Sequence, residues 1–203
     1  MAEPALDLRA TAWMESQLDD HVATAIAVKR LLPEAECVGR LLCAAFASRP
    51  SGVLYTFGNG GSAADAQHLT GELIGRYKRQ RRPLPAVTLT SDSTVVTCVA
   101  NDYSFDEIFA RQVAALARPG DVVAAFTTSG RSPNVVKGLR AARRSGATTV
   151  LFGGGNGGPA AQHADHALLV PSVETARIQE MHTLLLHVVS ELVDAWAAET
   201  RPA

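Results

Sequence analysis

Five short apolar runs, each separated from the next by a polar or glycine-rich turn and a segment of helical periodicity, constrain this chain more than any other feature. They lie at 53–57, 86–90, 121–127, 148–152 and 167–170. Parallel strands need long crossover connections, usually helices, and near-continuous apolar strands are buried on both faces. The pattern predicts an α/β fold: a five-stranded parallel sheet flanked by helices. Ahead of it, 5–31 and 34–49 carry apolar residues at helical spacing with Pro33 between them, and read as two helices outside the sheet. The chain thus divides into an N-terminal helical arm, 1–52, and a sheet-bearing unit, 53–203, whose tail Thr200 to Ala203 is expected to fray.

The first strand runs into Gly58-Asn59-Gly60-Gly61-Ser62 and then a helix, with Ser62 placed to cap it. Unpaired N–H groups and the positive end of the helix dipole converge in such a turn and favour an anion or a polyhydroxyl ligand. The turn lacks the glycine spacing of a dinucleotide fingerprint and the Gly-Lys-Ser/Thr ending of a P-loop, which disfavours a nucleotide. A second unit has the same form: the 121–127 run leads into Thr127-Thr128-Ser129-Gly130-Arg131-Ser132, and Pro133 opens a helix to about Ser145. Its hydroxyls and the amides around Gly130 read as a phosphate cradle or as an ordinary helix-capping turn. Ligands of parallel sheets bind at the carboxyl ends of the strands, so both turns can line one pocket.

One turn into the first helix, His68 and Glu72 stand at i and i+4 on one face, a spacing that suits a metal or a proton relay. Further on, Ser91-Asp92-Ser93 starts a short helix, Asn101-Asp102 breaks the chain, and an amphipathic helix follows at about 105–117. Gly153 to Gly158 is expected to be a flexible turn into a short helix near 159–164. The last helix, about 174–199, contains Gln179, His182 and His187. His21, His163 and His166 read as solvated.

Charge and composition exclude several classes of partner. With a formal net charge of −1 and basic residues dispersed except at Lys78, Arg79, Arg81 and Arg82, there is no nucleic-acid footprint, and that cluster reads as a solvated loop. Residues 1–52 show no basic recognition helix. The absence of a long apolar stretch and of a basic leader followed by an apolar run predicts a cytoplasmic protein without a membrane partner. Cys37, Cys43 and Cys98 show no paired metal spacing and fit buried thiols in a reducing compartment.

Gly58 to Ser62, Ala66-Gln-His-Leu-Thr-Gly-Glu-Leu-Ile-Gly-Arg76, Asn101-Asp102, Thr127 to Ser132, and Ala176-Arg-Ile-Gln-Glu-Met-His182 with His187 together resemble the phosphoheptose isomerase family. Those enzymes are sugar isomerase (SIS) domain proteins, and the resemblance runs from about residue 10 to 198. It implies a flavodoxin-like three-layer sandwich and a homotetramer with active sites near subunit interfaces. The implied reaction interconverts D-sedoheptulose 7-phosphate and D-glycero-D-manno-heptose 7-phosphate, with one zinc per subunit. The implied metal ligands are His68, Glu72, Gln179 and His187. The implied substrate residues are Asn59, Gly60, Gly61, Ser62, Glu72, Asn101, Asp102, Thr127, Thr128, Ser129, Ser132 and Gln179. The chain departs from some relatives with Thr127 in place of serine, which keeps the hydroxyl, Arg131 in place of asparagine, which could add charge to the phosphate site, and Ala176 in place of aspartate.

Ketose–aldose isomerisation needs a base to carry a proton between C1 and C2 and an acid to serve the neighbouring oxygens through an enediol. Glu72 is the expected base and His187 the expected acid. A metal there would act as a Lewis acid, although a carboxylate bound tightly to zinc is a weaker base. Gln179 and His187 are eight residues apart, about 12 Å along an unbroken helix, so one metal could hardly take both from one straight helix. Spacing alone favours His182, at i+3 from Gln179; the resemblance favours His187. The expectation is a site drawn from more than one subunit, or a distorted helix. Two alternatives stand beside this one: a non-catalytic SIS protein that binds the replication initiator, and an isomerase for another phosphosugar.

Overall fold

The computed structural model describes residues 10–48 and 50–199. The expected helix start at residue 5 and the tail from Thr200 lie outside the described residues. Helices α1 (Ala10–Val28) and α2 (Leu32–Ala47) are joined by a single 3-10 turn, Lys29–Leu31. Pro33 sits in the first turn of α2, where its missing N–H costs nothing, so it opens a helix instead of separating two.

Alternation of strand and helix then follows as the apolar runs predict: β1 (Leu54–Gly58), α3 (Gly61–Ile74), β2 (Ala86–Thr88), α4 (Ser93–Asp102), α5 (Ile108–Leu116), β3 (Val122–Phe126), α6 (Pro133–Arg144), β4 (Thr148–Gly154), α7 (Gly158–Ala161), β5 (His166–Val170) and α8 (Thr175–Glu199). All strand pairs are parallel, in the order β2-β1-β3-β4-β5, with Leu54 opposite both Ala86 and Val122. Asn101 and Asp102 do not break the chain; they are the last two residues of α4, whose start is capped by the Asp92 carboxylate accepting from the Thr94 and Val95 N–H groups. Gly153 and Gly154 are also more ordered than the glycine run suggests, since both extend β4 in register with β5.

The side-chain alternation of buried strands sorts the core into two layers. Leu54, Val122, Ala124, Phe126, Val150 and Phe152 face α2, α3 and α8. Tyr55, Phe57, Val123, Ala125 and Leu151 face α5 and α6. The three-layer α/β sandwich is thus observed, and α2 shares the first layer through Val38, Leu42 and Phe46.

Close packing on the second face depends on Gly138 in α6. A Cβ there would lie 2.6 Å from the Phe57 ring, which is fully buried and stacked on Phe109 at 4.6 Å between centroids. Alanine normally stabilises a helix interior by about 1 kcal/mol over glycine, whereas overpacking a tight core costs about 1–3 kcal/mol. Because neither ring has room to move, the second effect wins: Gly138→Ala lowers the urea midpoint, and an unchanged or raised midpoint would sink this account of the α6–sheet contact.

Candidate active site

Adjacent strands β1 and β3 end side by side, and the chain leaves each through a polar turn into a helix. In the first turn Gly60, at φ +55°, is the residue before α3, and Gly61 is its first helical residue. Ser62 therefore does not cap the helix as the sequence suggested; it lies inside the first turn, buried, and its backbone N–H donates to Asn59 O at 3.0 Å. In the second turn the buried Thr127 hydroxyl oxygen accepts the Gly130 N–H at 3.2 Å, and the Ser129 hydroxyl oxygen accepts the Arg131 N–H at 3.2 Å. Gly130, at φ +64°, lies against the Gly157 backbone, where a side chain would have no space. Ser132 precedes α6 without using its hydroxyl as a cap.

Two amides tie the turns together. Asn59 Nδ2 donates to Asn134 Oδ1 and Asn134 Nδ2 donates to Asn59 Oδ1, both at 2.9 Å. Asn134 is almost fully buried at the second position of α6. Sequence reasoning missed it; the signal was an amide beside Val135 and Val136 at the start of a helix, where an unpaired polar group would be costly.

Between the turns lies a pocket of about 200 Å³ lined by Asn59, Ser62, Phe126, Thr127, Thr128, Ser129, Ser132, Thr175 and Gln179. Seven of the residues nominated for substrate therefore meet here. Gly60 and Gly61 form the turn beside it, and a Cβ on Gly61 would lie 2.5 Å from the Gln179 amide. Arg131 does not line this pocket but an adjoining open groove, which shares Thr128 and Ser129 with it and continues along Gly154, Gly155 and Asn156. Asn101 and Asp102 are exposed at the end of α4, bonded to each other at 2.9 Å, and this chain does not bring them to the pocket.

Farther along α3 and α8 is a second group. His68 Nε2 is 3.1 Å from Glu72 Oε1 and 3.3 Å from His187 Nε2, and the ligand atoms of all three lie within 4.8 Å of one another. Tyr77 stacks on the His187 ring at 5.4 Å between centroids. Burial holds the His187 imidazole below the usual histidine value, the facing His68 adds to this, and Glu72 opposes it. Two imidazole nitrogens facing each other beside a carboxylate form the His/His/carboxylate donor set of catalytic zinc sites, so these residues fit a divalent metal. His182 does not: it is fully buried, with Nε2 3.1 Å from Gly153 O and Nδ1 3.8 Å from Asp65. Helix α8 is unbroken, and Gln179 stands at the pocket, about 12 Å along the axis from His187 by helical rise.

Several side chains differ in exposure from what the sequence suggests. The Arg81 side chain is not solvated but fully buried against Asp194. His166 and His21 are half-buried and pair with Glu34 at 2.8 Å and Glu180 at 2.7 Å. Cys37 and Cys98 are exposed; only Cys43 is half-buried, and its burial pushes the thiol up to about 11.

Residues 36–154 match the SIS domain family, and the five-stranded parallel sheet flanked by helices agrees with it. Over 193 residues, 94% of this chain and 99% of the relative, the sequence is 45% identical to the phosphoheptose isomerase of Paramagnetospirillum magneticum. It is 57% identical over 143 residues to that of Aquifex aeolicus, covering 70% of this chain and 75% of that one. The structure of phosphoheptose isomerase GmhA from Neisseria gonorrhoeae aligns with a TM-score of 0.85 at 34% identity, over 92% of this chain and 99% of that one. The chain belongs to the phosphoheptose isomerase family of SIS domain proteins, and it is an isomerase. The non-catalytic alternative gives way to this. No helix among the described residues is long and apolar enough to cross a membrane.

The Thr127–Gly130 bond gives a direct check on the second turn. Thr127→Val keeps the shape but leaves a buried N–H without its acceptor, at a cost of about 1–3 kcal/mol. Thr127→Ser should remain within about 1 kcal/mol of wild type in chemical unfolding, because it keeps the acceptor and loses only a methyl group. Equal stability of the two variants would contradict the assignment.

Proposed function

We propose that this protein interconverts D-sedoheptulose 7-phosphate and D-glycero-D-manno-heptose 7-phosphate, with Glu72 as the base and His187 as the acid. One observation carries the reading: α3 begins in the pocket suited to a phosphate and ends at a carboxylate facing two imidazoles. Ser62, Thr127, Thr128, Ser129 and Ser132 hold the phosphate by hydroxyl and amide hydrogen bonds, supported by Asn59, Gly60, Gly61 and Gln179. Glu72 removes a proton from C1 of the ketose; the C1–C2 double bond forms as the C2 oxygen takes a proton from His187. The resulting enediol then loses its O1 proton to His187 and regains a proton from Glu72 at C2, leaving the carbonyl at C1.

His68, Glu72 and His187 would hold the zinc, with Gln179 as the fourth ligand. Zinc bound there would supply Lewis-acid polarisation of a substrate oxygen. The unbroken α8 favours taking Gln179 from a second subunit, and in this reading Asn101 and Asp102 likewise serve a neighbour's site. A homotetramer supplies such neighbours. Its support here is the stripe of exposed apolar residues on α1, Trp13, Met14, Leu18, Val22 and Ile26, which is costly to leave in water. The setting is the cytoplasm, where sugar phosphates are made and used.

Aldose formation from sedoheptulose 7-phosphate, followed by NMR, tests the reading. The zinc-loaded wild type turns over, and Glu72→Gln and His187→Ala each lose about 100-fold or more while staying folded. A folded, zinc-loaded wild type without turnover, or a Glu72→Gln variant at wild-type rate, would refute it.

A further inference from the structure

The segment between α3 and β2 carries five basic residues, Arg76, Lys78, Arg79, Arg81 and Arg82, that the proposed catalysis does not use, and its contacts are unusually specific. Arg81 Nη2 donates to Glu72 O at 2.6 Å; Nη1 donates to Leu73 O at 2.7 Å, Gly75 O at 3.2 Å and Arg82 O at 2.8 Å; and Nε donates to Asp194 Oδ1 at 3.1 Å. The guanidinium thus satisfies carbonyls at the end of α3 that have no helical partner. Asp194 in turn accepts the backbone N–H groups of Tyr77 at 3.3 Å, Lys78 at 3.2 Å and Arg79 at 2.7 Å. Both side chains are fully buried. Burial alone would raise the Asp194 carboxyl, but the N–H groups of Arg79 and Lys78, and Arg81, hold it below the usual range. Outside this pair, Lys78 and Arg79 reach Glu191 at 2.6 and 2.7 Å.

Stability is a weak reason for this arrangement, since a buried ion pair barely repays its desolvation and two apolar side chains could hold α3 on α8 as well. What a planar, five-donor guanidinium offers is fixed geometry. The carbonyl it holds most tightly is that of Glu72, and Asp194 lies two turns beyond His187 on α8. The strap between them carries Tyr77, whose ring lies on His187.

We propose that the buried Arg81–Asp194 pair is a positioning clasp that sets Glu72 and Tyr77 against His187 and so fixes both the proton-transfer geometry and the affinity of the divalent cation site. This rests on the assignment of Glu72 and His187 made above. Neither Arg81 nor Asp194 touches substrate; both act through the residues they hold.

The test measures three quantities on the full-length chain: zinc affinity by competition with a chromophoric chelator, kcat and KM with sedoheptulose 7-phosphate, and unfolding midpoint. The variants are Asp194→Asn and Arg81→Lys. The control is Asp165→Asn, which breaks a carboxylate's bonds to Thr149 at the start of β4, the far end of the sheet. The clasp variants lose about 10–100-fold in zinc affinity and in kcat, as lost outer-shell support does elsewhere. KM changes little, because the phosphate turn at 127–132 is untouched. The control loses stability alone. Should both clasp variants fail to fold, Tyr77→Leu, which cuts only the strap's contact with His187, decides by the same zinc readout. Folded clasp variants with wild-type kcat and zinc affinity, or losses matched by the control at equal destabilisation, overturn the clasp. A wild type that neither binds zinc nor turns over removes the site assignment and the clasp with it.

Discussion

The sheet order places the carboxyl ends of β1 and β3 next to each other, and the candidate pocket depends on that adjacency. The chain builds outward in one direction from β1 to β2 and in the other from β1 through β3 to β5, so the crossover helices leave on opposite faces and a crevice opens between their starts. α3 starts on one side of it and α6 on the other. Backbone N–H groups and hydroxyls from two turns, more than sixty residues apart in sequence, then face the same small volume. The reciprocal Asn59–Asn134 amide pair holds the two turns in register, and the glycines at 60 and 130 supply the left-handed backbone that lets the chain turn so tightly.

The second functional element is a pair of helices, not a loop. α3 and α8 pack on the same face of the sheet through Leu69, Leu73, Leu185 and Leu186, which places Glu72 and His68 of one opposite His187 of the other. Thr56 fastens α3 to β1 by donating to Ala66 O at 2.9 Å and pairing with Thr70 at 2.8 Å. Side chains that must meet within a few ångströms are thus carried on regular elements with buried polar anchors, and the placement error of a flexible loop is avoided. The pocket and the histidine cluster are separate places on one chain, joined by the length of α3.

Much of this was legible in the sequence because it is local. The five apolar runs announce buried parallel strands, and strands β1 and β3 are indeed buried at every position. Both polar turns follow strands and precede helices, so their meeting follows from topology. Less legible was anything that depends on a partner far along the chain. Arg81 in a basic cluster looked solvated because its charge partner, Asp194, lies more than a hundred residues away, and its nearby acceptors are backbone carbonyls that no residue type announces. His182 looked like a candidate ligand by its spacing from Gln179; helical rotation instead turns it into the core beneath β4, where Phe126 and Phe152 surround it. Ser62 looked like a cap because glycines preceded it, but Gly60 takes that position with a backbone that serine would adopt only under strain.

Glu72 keeps about a fifth of its side chain exposed, 19%, so in the proposed reaction the proton it takes would exchange with water before it is returned. Isomerisation of sedoheptulose 7-phosphate in deuterium oxide reads this directly. Deuterium at C2 of the aldose product is the expected result. Aldose carrying at C2 only hydrogen from the substrate, with none from solvent, would contradict proton transfer by a solvent-accessible carboxylate and point to a direct hydride shift.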